Sequence, residues 1–575
     1  MKKKTVHIYD KNLFLYDYEE VLSVNLKKLN KSKNVTKINL SSSYTSNYFI
    51  EFLKIFLANK DIDLNINNQV YGDLIFNIND NKSKFWSEKC DFYILLPDSS
   101  ILDLSVRDLN KNQIRKKIIA DGKKFIHVWK KIKKPLIQSL FNQASFPNLA
   151  LNDSVNFKGS NNYINLLNQY LIQNAPTNVT LIDLEFISKK YDITSSFNYR
   201  LDSLIKQPLS MEFMKYLANE VSNHINGILG RSKKVIVVDL DNTIWGGVVG
   251  DVGWNNIKLG GDTLEGQSFV LFQRYLKSLV DNGILLCVVS KNDEKIAKEV
   301  FKKNKNMELK LSDIILFKAN YLDKATNIKN ISQQLNLNLN SFVFIDDNKV
   351  ECELVEKTHK EVTVINMSRD PHEFVQLLNQ KSLFYFSSIT NEDKSRLKSY
   401  KVIGKIQENL KKVKNIDSFL KSLKPQMSLR NIDKNNIERV LQLFSKTNQF
   451  KLNKNIFNKR FLIDNPKKFK ALNFRDKFQN YGIMSALAFD LNKKKRQLEI
   501  LNWVLSCRVF SRKIEFFLLK EIYKLAKNNN LDNISFDFIN SGRNQYLISF
   551  LSNFGLKLNK NGNYKIKVED LKKYG

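Results

Sequence analysis

The chain has 575 residues, 43% of them hydrophobic, which is more than one hydrophobic core usually organises, so several globular domains are expected. No apolar run approaches the roughly 20 residues that cross a bilayer, and the opening MKKKTVHIYDKNLF lacks the apolar centre of a signal peptide. We therefore expect a cytoplasmic protein. The formal charge of +34 suits an acidic partner, but no zinc-finger, KH or RRM signature accompanies it, and lysine-rich composition explains it without nucleic acid.

Residues 1–205 alternate short apolar strands with helical segments, which predicts an α/β domain. The predicted strands are KTVHIYD, VTKINLS, DFYILLP, PLIQSLF and VTLIDL. The pattern resembles a flavodoxin-like or SGNH-type domain. An active SGNH hydrolase needs a serine in a GDS motif and a histidine in a DxxH motif, and the second motif would fall where Asp183 to Phe186 read DLEF. We therefore expect a binding or docking domain without a catalytic triad.

A helical segment from Pro208 to Gly230 connects this domain to the strand VIVV, which ends before Asp239 and Asp241. Open α/β sheets bind ligands at the carboxyl ends of their strands. Two further apolar strands follow and end in polar residues. GILLCVVS ends on Ser290, just before Asn292, and SFVFIDDN ends in an acidic pair. The sequence therefore predicts an active-site edge.

Carboxylates gathered at strand ends repel one another by about 4 kcal/mol per close pair at an effective dielectric constant near 20, so a cation is expected among them. Oxygen ligands of this kind suit Mg²⁺. With the phosphate charge neutralised, one carboxylate can attack phosphorus and form an acyl phosphate. A small phosphorylated metabolite is therefore the expected substrate.

Three motifs resemble the haloacid dehalogenase superfamily, and more closely its FkbH-like subfamily IIIC: DLDNTIWGGVVGDVG from Asp239, SKND from Ser290 and FIDDN from Phe344. The resemblance implies that Asp239 is the nucleophile and that Asp241 is the general acid and base, with its backbone carbonyl on Mg²⁺. It also implies that Asp346 and Asp347 complete the metal site.

The same resemblance gives roles to other residues of these motifs. It implies that Lys324 offsets negative charge, with Lys318 as a nearby rival. Ser290, Asn242 and Thr243 would bind phosphoryl oxygens or hold the loop, and Asn292 would bind substrate. Asp347 could orient the site instead of binding metal, because adjacent side chains on an extended chain point in opposite directions. The glycine-rich stretch after Thr243 resembles the small flap of the family, with Trp245 and Trp254 as an apolar lid.

The last part contains TNQF, RDKFQNYGI and SCRVFSRKIE, which resemble the acetyltransferase-like part of FkbH-like proteins. In that fold an RxxGxG loop binds the pyrophosphate of coenzyme A. Here the loop runs from Arg508 to Lys513, with Ser511 and Lys513 in place of the glycines, which argues against coenzyme A. Cys507 lies where an acyl group would sit and is either an acyl carrier, with Arg508 beside it, or an inert packing residue.

Together these patterns predict an α/β protein with five segments. They are an SGNH-like domain at 1–205, a connecting helix at 206–232, a Rossmann-like phosphoryl-transfer domain at 233–380, a helical linker at 381–421 and an α+β acetyltransferase-like domain at 422–575. The expected function is Mg²⁺-dependent phosphatase or phosphotransferase chemistry. The resemblance implies that a glyceryl unit is loaded on an acyl carrier protein in polyketide or surface-glycan biosynthesis. The alternatives are an acyltransferase with an auxiliary phosphatase-like domain, and a noncatalytic scaffold.

Overall fold

The structure, a computed structural model, describes residues 7–574 except 9, 11, 25–34, 69–73, 81, 87–88, 144–145, 262, 387–395, 411–419, 456, 511, 555 and 559–562. The chain separates into two compact units. One comprises Met1–Asn226 with Ile456–Phe461, and the other comprises Gly227–Asn455 with Leu462–Gly575. Among the described residues, no helix is both long and apolar enough to cross a membrane.

The first unit is built on a five-stranded sheet in the order β2-β1-β3-β4-β5, with every pair parallel. This is the flavodoxin order. Strand β3 reads FYILL and is buried throughout, because helices cover both faces of a parallel sheet. The strands are β1 (Val35–Ser42), β2 (Asp63–Asn68), β3 (Phe92–Leu96), β4 (Leu136–Ser139) and β5 (Val179–Ile182). The helices are α1 (Tyr18–Leu22), α2 (Asn47–Ala58), α3 (Leu74–Asn79), α4 (Lys111–Lys131), α5 (Ser160–Asn174), α6 (Leu184–Lys190), α7 (Tyr199–Ile205) and α8 (Met211–Ile228).

The segment KTVHIYD, residues 4–10, lies mostly outside the described residues. Strand β2, with the sequence DLNINN, was not predicted, because Asp and Asn disfavour strands. It lies at an edge of the sheet, where polar side chains are tolerated.

The second unit contains a five-stranded parallel sheet in the order β10-β9-β6-β7-β8. The strand order reverses between β6 and β9, and ligands bind at such switch points. Alternate residues of β6 enter two hydrophobic cores, Ile236 and Val238 on one face and Val235 and Val237 on the other. The strands are β6 (Val235–Val238), β7 (Leu285–Ser290), β8 (Ile314–Ala319), β9 (Phe342–Asp346) and β10 (Thr363–Asn366). The helices are α9 (Val249–Val252), α10 (Leu264–Asp281), α11 (Glu294–Lys303), α12 (Lys324–Leu335), α13 (Lys349–Thr358), α14 (Phe374–Gln380) and α15 (Arg396–Leu410).

A seven-stranded sheet follows in the order β11-β12-β13-β14-β15-β17-β16, and only its β14–β15 pair is parallel. That pair extends only from Gln497 to Ile500 of β14, so the strands diverge before β14 ends at Leu505. The strands are β11 (Gln426–Asn431), β12 (Phe469–Arg475), β13 (Asn480–Asn492), β14 (Gln497–Leu505), β15 (Asn533–Phe536), β16 (Lys557–Leu558) and β17 (Tyr564–Lys567). The helices are α16 (Ile437–Lys446), α17 (Lys459–Asp464), α18 (Ile514–Asn528) and α19 (Gln545–Asn553).

The predicted α/β class is confirmed, with two parallel sheets and one mixed sheet. The predicted connecting helix corresponds to α8. The helical linker predicted at 381–421 contains α15. The division into five segments stays a prediction.

Candidate active site

Three carboxylates meet where β6 and β9 end. Val238 pairs with Ile345 in the register of these parallel strands, so the next residues, Asp239 and Asp346, are neighbours. One carboxylate oxygen from each of Asp239, Asp346 and Asp347 lies within 4.8 Å of the others. The chain leaves β9 at Asp346, so Asp347 is not held on the opposite face of an extended strand.

Lys324 supplies a positive charge to this cluster. Its Nζ atom lies 2.6 Å from Asp346 Oδ2 and 3.1 Å from Asp239 Oδ1, and its side chain is 5% exposed. The residue takes the first position of α12 because the side chain of Asp323 caps that helix by accepting from the Thr326 amide. Lys318 lies on β8 and forms no ion pair with the three aspartates among the described residues.

Burial dominates the electrostatics of the cluster. It raises the pKa of Asp239 well above its ordinary value, with Lys324 opposing the shift and Asp346 adding to it. Burial also raises the pKa values of Asp346 and Asp347. For Lys324 burial lowers the pKa, but the carboxylates of Asp239 and Asp346 outweigh it, and the net shift is upward. These carboxylates therefore need more positive charge than one lysine provides.

The cluster fits a divalent cation. Three ionised carboxylates and one ammonium leave two negative charges uncompensated. Oδ1 of Asp239 is buried, and the ammonium of Lys324 lies 3.1 Å from it. A carboxylate oxygen has more than one lone pair, so this oxygen can bind a metal while it faces the lysine. Mg²⁺ takes oxygen ligands of this kind.

The carboxylate of Asp241 lies outside the cluster of three. It accepts hydrogen bonds from Trp245 Nε1 at 2.8 Å, from the Val249 amide at 3.1 Å and from Asn292 Nδ2 at 2.8 Å. Strand β6 has already ended at Val238, so the chain turns and directs this carboxylate towards the glycine-rich segment. The prediction that Asp241 binds the metal therefore depends on its backbone carbonyl alone.

The remaining predicted residues of this region form hydrogen bonds with the loop backbone and with neighbouring side chains of the site. Oδ1 of Asn242, at a positive φ of 52°, accepts from the Gly247 amide at 2.8 Å. The hydroxyl of Thr243 is buried and donates to Asp347 Oδ1 at 3.3 Å. Asn292 is buried and donates to the hydroxyl oxygen of buried Ser290 at 3.2 Å. Their contacts with substrate stay predictions.

Trp245 does not form a lid. Its side chain is wholly buried in the core of this unit, and its indole nitrogen donates to Asp241, whereas Trp254 is partly buried against the same core. The large apolar side chain of Trp245, four residues after Asp241, is more stable in that core than over a solvent-filled site. Trp245 is therefore a positioning residue that the sequence pattern did not identify as such.

Cys507 and Arg508 lie away from the carboxylates. Cys507 follows β14, is half-buried, and packs against the core that contains Val235 and Val237, with its Sγ atom 3.2 Å from Tyr400 Oη. Arg508 is buried beside it. The contact with Tyr400 was not predicted, because 107 residues separate the two positions and no local pattern links them.

The loop after Cys507 differs from expectation at one position. Lys513 adopts a positive φ of 59°, although its replacement of glycine was expected to restrict that conformation. The left-handed conformation costs a lysine about 1 kcal/mol, which the packing of α18 behind it can offset. Arg512 is buried in an ion pair with Asp476. Ser511 lies outside the described residues, and the argument against coenzyme A stays a prediction.

Comparison with known proteins gives a structural match to a phosphatase-domain protein. The sequence matches no family model and no curated protein. The N-terminal part of the protein BF1531 from Bacteroides fragilis, described as containing a phosphatase domain complexed with Mg, is 28% identical at a TM-score of 0.60. The match covers 65% of this chain and 100% of that one. The matched part of this chain is longer than the segment 233–380, so the similarity extends beyond the predicted phosphoryl-transfer domain.

Other matches are weaker, and each covers about a quarter of this chain. The ribosomal-protein-S18-alanine N-acetyltransferase of Escherichia coli is 7% identical, covering 25% of this chain and 94% of that one, at a TM-score of 0.19. The spermidine/spermine N-acetyltransferase SpeG of Vibrio cholerae is 11% identical, covering 26% and 96%, at a TM-score of 0.21.

Proposed function

We propose that this protein is a Mg²⁺-dependent phosphatase or phosphotransferase that acts on a small phosphorylated metabolite through Asp239. The observation that carries the proposal is the meeting of three carboxylates and a buried lysine at the switch point of a parallel sheet. The similarity to a phosphatase-domain structure complexed with Mg supports it.

In the proposed reaction, a carboxylate oxygen of Asp239 attacks phosphorus, and the bond from phosphorus to the leaving oxygen breaks. Asp241 acts as the general acid and gives a proton to that leaving oxygen. Water then attacks the aspartyl phosphate, Asp241 takes a proton from it, and phosphate leaves with Asp239 restored. The three donors to Asp241 hold its carboxylate in one orientation for both proton transfers.

Asp239, Asp346 and Asp347 would hold Mg²⁺, together with the backbone carbonyl of Asp241. When bound, the ion neutralises charge on the phosphoryl oxygens. Lys324 offsets the negative charge that develops during transfer, and the Ser290 hydroxyl binds a phosphoryl oxygen. Asn242, Thr243 and Asn292 keep the loop in place around the substrate.

The test is phosphate release from acetyl phosphate and p-nitrophenyl phosphate, with Mg²⁺ or with EDTA. Replacing Asp239 by Asn removes the nucleophile, and we expect release to fall by at least about 1,000-fold. Asp192→Asn is the matched control, because Asp192 is exposed and Asn tolerates its positive φ of 54°. Equal activity in the Asp239 variant, or full activity in EDTA, would contradict the proposal.

A second candidate is acyl transfer through Cys507, which lies where an acyl group would sit in an acetyltransferase-like fold. Of the four free cysteines, Cys507 is the one that is not fully buried. The Cys507 thiol would attack the carbonyl of an acyl phosphate and expel phosphate, which leaves a thioester; the thiol of an acyl carrier protein would then take the acyl group and restore the Cys507 thiol. The first unit would then serve as a binding or docking domain. We expect Cys507→Ser to abolish acyl transfer and to retain phosphate release, whereas unchanged transfer would exclude the thioester.

A further inference from the structure

A cavity of about 90 Å³ lies at the amino ends of the strands of the second sheet. Lys233 and Lys234 line it just before β6, Ile284 just before β7 and Ser341 just before β9. The carboxylate cluster lies at the other ends of the same strands. Five residue steps of about 3.3 Å separate Lys234 from Asp239, so the two places are roughly 17 Å apart.

The described residues that line the cavity are strongly basic. Of the 27 lining residues, eight are Lys or Arg and none is Asp or Glu. The whole chain has 92 basic and 58 acidic residues among 575, so composition alone predicts fewer cations here and some carboxylates. The basic residues come from separate elements, including Lys234, Arg396, Arg439, Lys446, Arg508 and Arg543.

Lys234 shows how these charges interact. Its ammonium donates to the backbone carbonyl of Lys446 at 3.3 Å, and an ammonium has three protons to donate. Burial lowers the pKa of Lys234, Cys507 opposes the shift, and the charges of Arg396 and Arg543 lower the pKa further. Positive charges that line one cavity repel one another, and an anion bound there would offset the repulsion.

The walls also supply aromatic surface and hydroxyl groups. The guanidinium of Arg396 lies 5.9 Å from the ring centroid of Tyr400, whose hydroxyl contacts Cys507. Phe386 and Phe510 line the cavity as well. Apolar surface beside fixed cations suits an organic molecule that carries phosphate.

We propose that this cavity binds a small molecule with two or more phosphate groups, held by Lys234, Arg396 and Arg543. The site has no residue in common with the carboxylate cluster, so the inference goes beyond the proposed phosphoryl transfer at Asp239. It also does not require thioester chemistry at Cys507, because the recognition is electrostatic. The bidentate geometry of arginine suits phosphate oxygens, and several cations favour two phosphates over one.

Isothermal titration of the full chain with inorganic pyrophosphate tests the proposal. EDTA is present, so that metal-dependent binding at the carboxylates does not contribute. We expect inorganic phosphate to bind at least tenfold more weakly than pyrophosphate. We expect Lys234→Met to weaken pyrophosphate binding at least tenfold, because it removes a charge and keeps most of the aliphatic chain. Lys329→Met, at an exposed position of α12, is the matched control and should bind as the wild type does.

Two further variants keep the result interpretable. Arg543→Gln removes a cation from a half-buried position in the loop before α19, and we expect a similar loss even if Lys234→Met does not fold. Asp239→Asn should lose phosphate release and keep pyrophosphate binding, so failure of either proposal is distinguishable from failure of the other. The inference is overturned if the wild type does not bind pyrophosphate, or if Lys329→Met weakens binding as much as the cavity variants do.

Discussion

Two five-stranded parallel sheets in this chain have different chemistry at their carboxyl ends. Beside β1 and β3 of the first unit, the Ser43 hydroxyl donates to Asp98 Oδ1 at 2.7 Å, and the Asn142 side chain accepts from the Ser99 amide at 2.9 Å. Beside β6 and β9 of the second unit, Asp239, Asp346 and Asp347 converge with one lysine. Each group lies next to the point where the strand order of its sheet reverses.

The difference shows that the strand-end residues, and not the topology, determine what each edge can do. Hydroxyls, amides and one carboxylate satisfy each other by hydrogen bonds. Three neighbouring carboxylates cannot do so, because they have no protons to donate when ionised and they repel each other. The second edge therefore needs cations, which makes it the candidate for phosphoryl transfer.

The largest effect after loss of the nucleophile is expected for Lys324→Met. This change leaves Asp239 and Asp346 buried without their partner, which typically lowers the free energy of unfolding by about 3 kcal/mol. Phosphate release should fall about 100-fold, because a charge that stabilises the transition state is lost. Chemical denaturation and steady-state assays measure the two effects. Lys329→Met should change neither the stability nor the activity. If the Lys324 variant is as stable and as active as the wild type, Lys324 has no role in the proposed reaction.

A smaller effect is expected from Mg²⁺ itself. An ion that binds only the folded chain stabilises it by about 2.7 kcal/mol at a concentration 100 times its Kd. The melting temperature of the wild type should therefore rise with added Mg²⁺. Asp347→Asn removes a ligand of the proposed site and should reduce the rise, whereas Asp192→Asn should not. If added Mg²⁺ does not change the melting temperature of the wild type, the carboxylates do not bind the ion.

The smallest effect is expected in the first unit. Ser43→Ala removes the hydroxyl that donates to Asp98, and the free energy of unfolding should fall by about 1 kcal/mol. Phosphate release should stay unchanged, because the proposed chemistry uses only the second unit. Denaturation curves and the phosphate assay are sufficient to check this. A large loss of phosphate release in a folded Ser43 variant would show that the first edge takes part in the reaction.

The sequence predicted what depends on local pattern. Apolar strands that end in acids placed Asp239 and Asp346 together, and the order of the elements predicted the parallel sheet. The direction of the Asp241 side chain was not predicted, because it depends on the turn after Val238 and on donors from two other segments. Contacts across long separations, such as that between Tyr400 and Cys507, leave no periodic signal.

Local propensity also misled in two places. Strand β2 is polar, and its pairing with β1 stabilises it against the preference of its own residues. Lys513 adopts a conformation that favours glycine, because its position before α18 determines the backbone there. In both cases tertiary structure outweighs a preference of about 1 kcal/mol per residue.

The most direct test of the central claim is chemical trapping of the phosphorylated carboxylate. The wild type is mixed with acetyl phosphate and Mg²⁺, quenched with borohydride, which reduces an acyl phosphate to an alcohol, and digested for mass spectrometry. We expect homoserine at position 239 and unmodified aspartates at positions 241, 346 and 347. Phosphate release with an unreduced Asp239, or reduction at another aspartate, would contradict the central claim.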